Sequence, residues 1–165
     1  MDVKTCNKCQ KSLPVSAFHK AVKDGKTYFR NTCAACRNAV KAKYASNSPQ
    51  NYLKVLYIQL KSQRKKQKNV EFCLDFEHII ALWEKQNGRC ALSGVVMTYH
   101  RDGIYGAGKK DFNASIDRIN PAGPYKEGNI QLVATRVNIM KHTLSPDMLI
   151  WWIRALYEHA YLCKT

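Results

Sequence analysis

The sequence predicts an α+β fold: a small core of strand, loop, strand and helix with flanking helices, preceded by a four-cysteine module. Three observations predict it. Cysteines pair as Cys6-x-x-Cys9 and Cys33-x-x-Cys36 near the N-terminus. An apolar, β-branched run around Asp117 (Ile116, Ile119) breaks at Pro121, Gly123 and Pro124, resumes after Gly128 as Ile130 to Val133, and turns to helical spacing from Thr135. Between these two regions Leu53, Leu56, Tyr57 and Leu60 recur at the spacing of one helix face. At 165 residues the chain has room for one domain plus a small module. The divisions are 1–47 for the cysteine module, 48–70 for a basic linking helix and 71–165 for the core domain.

The N-terminal module comes first. Paired C-x-x-C motifs in a chain without a signal-like start read as a four-sulfur zinc site rather than disulfides. Each turn presents two thiolates to one tetrahedral ion, so Cys6, Cys9, Cys33 and Cys36 close its coordination sphere. Such a site is structural, and so short a segment needs the metal to fold. Asp24-Gly25 is a two-residue hairpin signal, and the Ala-rich run after Cys33 is helical. A knuckle, a hairpin and a helix carrying the second pair resemble a treble-clef zinc finger. Cys73 and Cys163 are expected as buried hydrophobes. Cys90 begins C-A-L-S, and with Ser93 in place of a second cysteine no second zinc staple is expected.

Ala45 to Asn51 reads as a polar break. Ser48-Pro49 then caps a helix whose apolar face should pack on the body. Past Leu60 this helix turns cationic, with Lys61, Arg64, Lys65 and Lys68 on one face. Asp75 can cap a helix through Phe76, Ile79, Ile80, Leu82 and Trp83 that stops at Asn87-Gly88. The run from His100 to Lys110 is Gly-rich and basic and reads as a loop able to lie along DNA. Ser145-Pro146-Asp147 starts a last helix carrying Met148, Leu149, Trp152, Ile153, Leu156 and Tyr157. An aromatic stripe at this spacing is expected to be core.

Charge narrows the partner. The formal net charge is +15, from 27 Lys and Arg against 12 Asp and Glu, and from Gly25 to Val70 there is no acidic residue at all. A positive field concentrated in a third of the chain favours a polyanion through counterion release. Lys61, Arg64, Lys65 and Lys68 are the phosphate-tracking candidates, giving affinity without sequence choice. A membrane surface is the competing partner, but the chain lacks lipidation signals and a basic helix with an exposed Trp- and Phe-rich face. DNA, and no membrane, is therefore the expected partner. With no long apolar span and no apolar leader, a soluble, cytoplasmic protein is expected.

The stretch Ser115 to His142 carries the chemistry. SIDRIN (Ser115 to Asn120), GPY (Gly123 to Tyr125), GN (Gly128-Asn129) and NIMK (Asn138 to Lys141) resemble the HNH endonucleases of the ββα-metal (His-Me finger) class. The match is to the phage and bacterial branch reading S-x-D-R-I-D/N, G-Y/P-Y, G-N and N-x-x-K. LWEKQNGRCALSG (Leu82 to Gly94) is similar to that branch's lead-in, and the resemblance covers about Asp75 to His142.

The resemblance implies a metal-dependent DNA endonuclease, phage or mobile-element encoded and acting in the host cytoplasm, with a small ββα-metal nuclease core. Asp117, Asn138 and His142 would then hold Mg²⁺ or Mn²⁺. Asn129 would pin the loop between the strands, and Lys141 would meet phosphate charge. Arg118 stands where most of the family has its water-activating histidine. Arginine stays protonated, so it suits a phosphate clamp and not a general base. Water would be activated by the ion or by another histidine such as His100. The alternative is a non-catalytic zinc-containing nucleic-acid-binding protein on a degenerate nuclease scaffold. The target, nicking against double-strand cutting, and the oligomeric state stay open.

Overall fold

The computed structural model describes residues 2–66, 71–100 and 107–162. It is a mixed α/β structure with four two-stranded sheets and a four-cysteine cluster. In the N-terminal module β1 (Val3–Thr5) pairs antiparallel with β2 (Ser12–Pro14), and β3 (Lys20–Lys23) with β4 (Lys26–Phe29). Lys23 pairs with Lys26 across the turn, where Asp24 and Gly25 take φ values of 50° and 74°. Two consecutive positive φ values are what a tight hairpin turn requires, and Asp-Gly supplies them at little steric cost. The module's own core is small: Cys6, Phe18 and Cys33 are buried, with Leu13, Ala17 and Phe29 against them.

Two helices join this module to the rest, α1 (Ala34–Ala45) and α2 (Pro49–Lys66). The Ser48 hydroxyl accepts a hydrogen bond from the Asn51 N–H (3.1 Å), as its place before Pro49 suggests. The expected polar break at Ala45 to Asn51 is instead a tight corner. Ala45 is fully buried and shares the main core with Tyr52 and Leu53, because α1 and α2 pack on each other directly. The cysteine module's helix is thereby continuous with the body's core.

The body begins with β5 (Phe72–Cys73), which runs parallel to β7 (Tyr125–Lys126), and α3 (Phe76–Lys85). Helix α3 ends where expected, at Asn87 and Gly88 with positive φ. Asp75 holds its N-cap position without a side-chain cap bond. Strand β6 (Ala114–Arg118) pairs antiparallel with β8 (Ile130–Ala134), placing Asp117 opposite Gln131 and Ser115 opposite Val133. The chain passes straight into α4 (Thr135–Lys141), which packs on both strands. Strand β8 is buried along its whole length, so both faces of this two-stranded sheet are covered.

The last helix, α5 (Pro146–Tyr157), is capped by the Ser145 hydroxyl, which accepts from the Met148 N–H, and ends in a π-turn over Glu158–Leu162. Here the expectation of a core stripe fails. Only Leu149 is buried, while Trp151 and Trp152 are 56% and 48% exposed. Periodicity reports that a helix has an apolar face, not that its own chain covers it. Cys73 likewise is exposed and donates to Glu71 (3.1 Å) instead of packing inside. Cys90 is buried. Cys163 and the greater part of the expected basic loop, residues 101–106, lie outside the described residues, as does Lys68. Among the described residues no helix is long and apolar enough to cross a membrane.

Candidate functional site

Two constellations stand out. The first is the cysteine cluster. The Sγ atoms of Cys6, Cys9, Cys33 and Cys36 all lie within 4.8 Å of one another. Four sulfurs on a tetrahedral zinc are about 3.8 Å apart, given a bond of about 2.3 Å, so a small contraction would close the shell. The local fold aims them. Cys6 opens a turn in which its carbonyl accepts from the Gln10 N–H, and Cys33 is the N-cap of α1, accepting from the Cys36 N–H at 3.5 Å.

Backbone N–H groups of Cys33 (3.3 Å) and Lys8 (3.4 Å) point at the Cys6 sulfur. The Cys33 and Cys9 amides lower the Cys6 thiol to about 6, against the opposing effect of burial. Cys36 is pushed up to about 12, first by its hydrogen bond with Cys33 and then by burial. Four crowded sulfurs cannot all ionise without a cation between them. These four cysteines can hold a metal ion such as zinc, and they are the only close group of His, Cys, Asp and Glu among the described residues.

The second constellation is built on β6, β8 and α4. Asp117 is 6% exposed, and both its oxygens are engaged. Oδ1 accepts from Lys141 Nζ at 3.2 Å, and Oδ2 accepts from Gln131 Nε2 at 2.9 Å. Lys141 also donates to the Arg118 carbonyl (2.9 Å) and is fully buried. This corrects its expected role: an ammonium enclosed between a carboxylate and a carbonyl does not face a phosphate. Asn138 lies one helical step earlier and donates to the Ser115 hydroxyl at 2.6 Å.

His142 does not continue the helix face. It leaves α4 at φ 48° as its C-cap, exposed, with Nδ1 sharing a hydrogen bond with Thr143 at 3.3 Å. The expected ion-binding trio is therefore not gathered. Asp117 is already neutralised by Lys141, and neither Asn138 nor His142 bonds to it. As arranged, these donors do not fit a divalent cation, which wants several free oxygens at 2.0–2.6 Å.

The loop between the strands is tightly held. Asn129 Oδ1 accepts from the Asn120 N–H (2.9 Å), while Nδ2 donates to the carbonyls of Pro124 (2.8 Å) and Asn120 (3.2 Å). Gly123 is needed for this closure, since a Cβ there would stand 2.8 Å from Asn129 Nδ2. Arg118 is half-buried, donating to the Gly123 carbonyl (2.8 Å), and its guanidinium lies over the Tyr125 ring at 4.8 Å.

The cationic face of α2 divides. Arg64 turns inward, donates to the Tyr125 hydroxyl (3.0 Å) and lies over that ring at 5.0 Å, so two guanidiniums contact Tyr125. It ties α2 to the loop through Tyr125. Lys61 lies against Tyr57, and Lys65 is exposed. His100 is at the Ala114 end of β6, beside Asn113. Three residues of strand, about 10 Å, separate that end from Asp117.

Gln131, Ser115 and Tyr125 are the site residues that sequence reasoning missed. Gln131 was detectable as the one polar residue in an otherwise apolar strand, at a position that the register sets opposite Asp117. A cavity of about 550 Å³ lies between α3 and the sheet edge, lined by His78, Leu82, Lys85, Ile119 and Glu127. It includes none of Asp117, Arg118, Asn138 or Lys141. Gln131, which bonds to Asp117, also lines this cavity, and Ser115 lines a smaller one of about 220 Å³ beside α2. No family model, curated protein or solved structure matches the chain.

Proposed function

We propose that this chain is a DNA endonuclease of the HNH type, with a structural zinc held by Cys6, Cys9, Cys33 and Cys36. One observation carries the reading. An antiparallel strand pair, a loop pinned by an asparagine and a helix returning Asn138 and Lys141 to the first strand occur in the order the sequence resemblance implies. The positive charge of residues 25–70 supplies the attraction to DNA. Arg118, permanently charged and held at the loop by Gly123 and Tyr125, is the group suited to clamp the scissile phosphate. The Mg²⁺ or Mn²⁺ that the resemblance implies finds no fitting donor set in Asp117, Asn138 and His142 as they are arranged.

The Asp117–Lys141 pair favours a second reading, a non-catalytic nucleic-acid-binding protein on the same scaffold, because a carboxylate so enclosed has no free oxygen to offer chemistry. Supercoiled plasmid separates the two. Wild-type protein with Mg²⁺ or Mn²⁺ should yield open-circle or linear DNA. Asp117→Asn, which keeps the size of the side chain but only one of its two accepting oxygens and none of its charge, should lose that activity, and Asn138→Ala should lose most of it, both still binding DNA. Cleavage at wild-type rate by Asp117→Asn would remove Asp117 from the reaction, and no cleavage by the wild type would sink the enzyme reading. Binding without cleavage under every ion tested would establish the second one.

DNA binding itself should depend on the exposed cations. Replacing Lys61 and Lys65 by Gln should weaken binding to all sequences and reduce the slope of log K against log salt by about 2, near 0.9 per lost phosphate contact. Arg64→Gln should instead lower the melting temperature and leave the slope unchanged. A salt slope that falls as much for Arg64→Gln as for the lysines would return Arg64 to the DNA interface.

A further inference from the structure

Helix α5 and its π-turn expose Met148, Ile150, Trp151, Trp152, Ile153, Leu156, Tyr157, Tyr161 and Leu162, each at 45–73%. Around the helix only a narrow strip is charged, formed by Asp147, Arg154 and Glu158, with Arg154 and Glu158 paired at 2.6 Å. The helix meets the body through Leu149, and the stripe that begins there runs on as Trp152, Ile153 and Leu156 into solvent. A helix apolar nearly all round belongs inside a larger assembly.

We propose that α5 is a homodimerisation helix, its covering partner being α5 of a second copy of this chain. Area supports this occupant. At 150–250 Å² per aromatic side chain, the four exposed aromatics alone offer about 450 Å². The five aliphatic side chains bring the patch to roughly 800–1,000 Å². That total runs around the whole helix and exceeds the roughly 300–600 Å² patch of an ordinary monomer, so the face a two-fold partner covers is drawn from a larger apolar surface.

Charge supports it too. Two copies of a chain of net charge +15 repel over most of their surfaces. Residues 146–162 contain no lysine and set Arg154 against Asp147 and Glu158, so this is where two copies approach without that penalty. The same charge pattern disfavours DNA as the occupant, and also an anionic membrane, whose surface helices carry a basic polar face. A two-fold axis lets one self-complementary patch serve both chains.

Sedimentation equilibrium on the full chain tests the proposal. Wild-type protein at about 10–100 µM should have twice the 18.9 kDa chain mass. Ile153→Glu and Leu156→Glu should raise the dimer dissociation constant by at least about 100-fold, with zinc content and far-UV circular dichroism unchanged. A wild-type chain that stays monomeric throughout this range, or one that remains monomeric and pellets with phosphatidylserine vesicles, overturns the proposal. So does a dimer that survives both substitutions. Should a variant misfold, the wild type alone decides: diluting it through the dimer transition must increase acrylamide quenching of the Trp151–Trp152 pair, and unchanged quenching refutes an α5 interface.

Discussion

Replacing Cys33 by serine should abolish metal binding and unfold the N-terminal module while the body remains folded. Wild-type protein purified without chelator should contain one zinc per chain by elemental analysis, and Cys33→Ser less than a tenth of that. The expected effect is large because the module's apolar core consists of Phe18 and a few partly buried neighbours around the cysteines. Four thiolates on zinc contribute about 10–16 kcal/mol in comparable small modules, far more than burial of one phenylalanine, at about 1.5–3 kcal/mol. Metal binding displaces thiol protons, so affinity should fall on acidification. Zinc-free protein whose β3–β4 hairpin amides stay protected from exchange would overturn the assignment.

Breaking the buried ion pair should cost nearly as much. Lys141→Met leaves the Asp117 carboxylate buried against Gln131 alone, and about 3–5 kcal/mol of stability should be lost. For a domain of this size that is a fall in melting temperature of roughly 10–15 °C. Asp117→Leu should be similarly costly, because it strands a fully enclosed ammonium. The double variant Asp117→Leu/Lys141→Met removes both charges and should recover most of the loss. A double-mutant cycle with no coupling between the two positions would show the pair to be energetically idle. Stability must be measured for every Asp117 variant assayed for cleavage, since the residue is half of the buried ion pair.

Sequence signals were most legible where a local rule acts within a few residues. Asp24-Gly25 specified its turn, Ser48-Pro49 and Ser145-Pro146 specified helix starts, and Asn87-Gly88 specified a stop. The order of strand, loop, strand and helix from Ser115 to Lys141 was readable from the change in apolar period. What failed were the assumptions about surroundings. Lys141, at a helix end, looked like an exposed cation, yet its partner Asp117 lies 24 residues earlier in the chain. Arg64 belonged to a cationic stripe by spacing, but Tyr125, 61 residues away, offers both a hydroxyl acceptor and a ring face. His142 shared a helix face with Asn138 only until the backbone turned to positive φ at that residue.

The sequence alone therefore determined the four-cysteine cluster, the basic character of the first half and the local elements, because C-x-x-C spacing, charge and turn chemistry act over a few bonds. Only the tertiary structure decided which polar groups meet. Pairing Asp117 with Gln131 follows from strand register, and enclosing Lys141 follows from the packing of α4 on that strand pair. It likewise decided that α5 carries its apolar face outward, since burial is a property of what surrounds a helix and is not written in its periodicity.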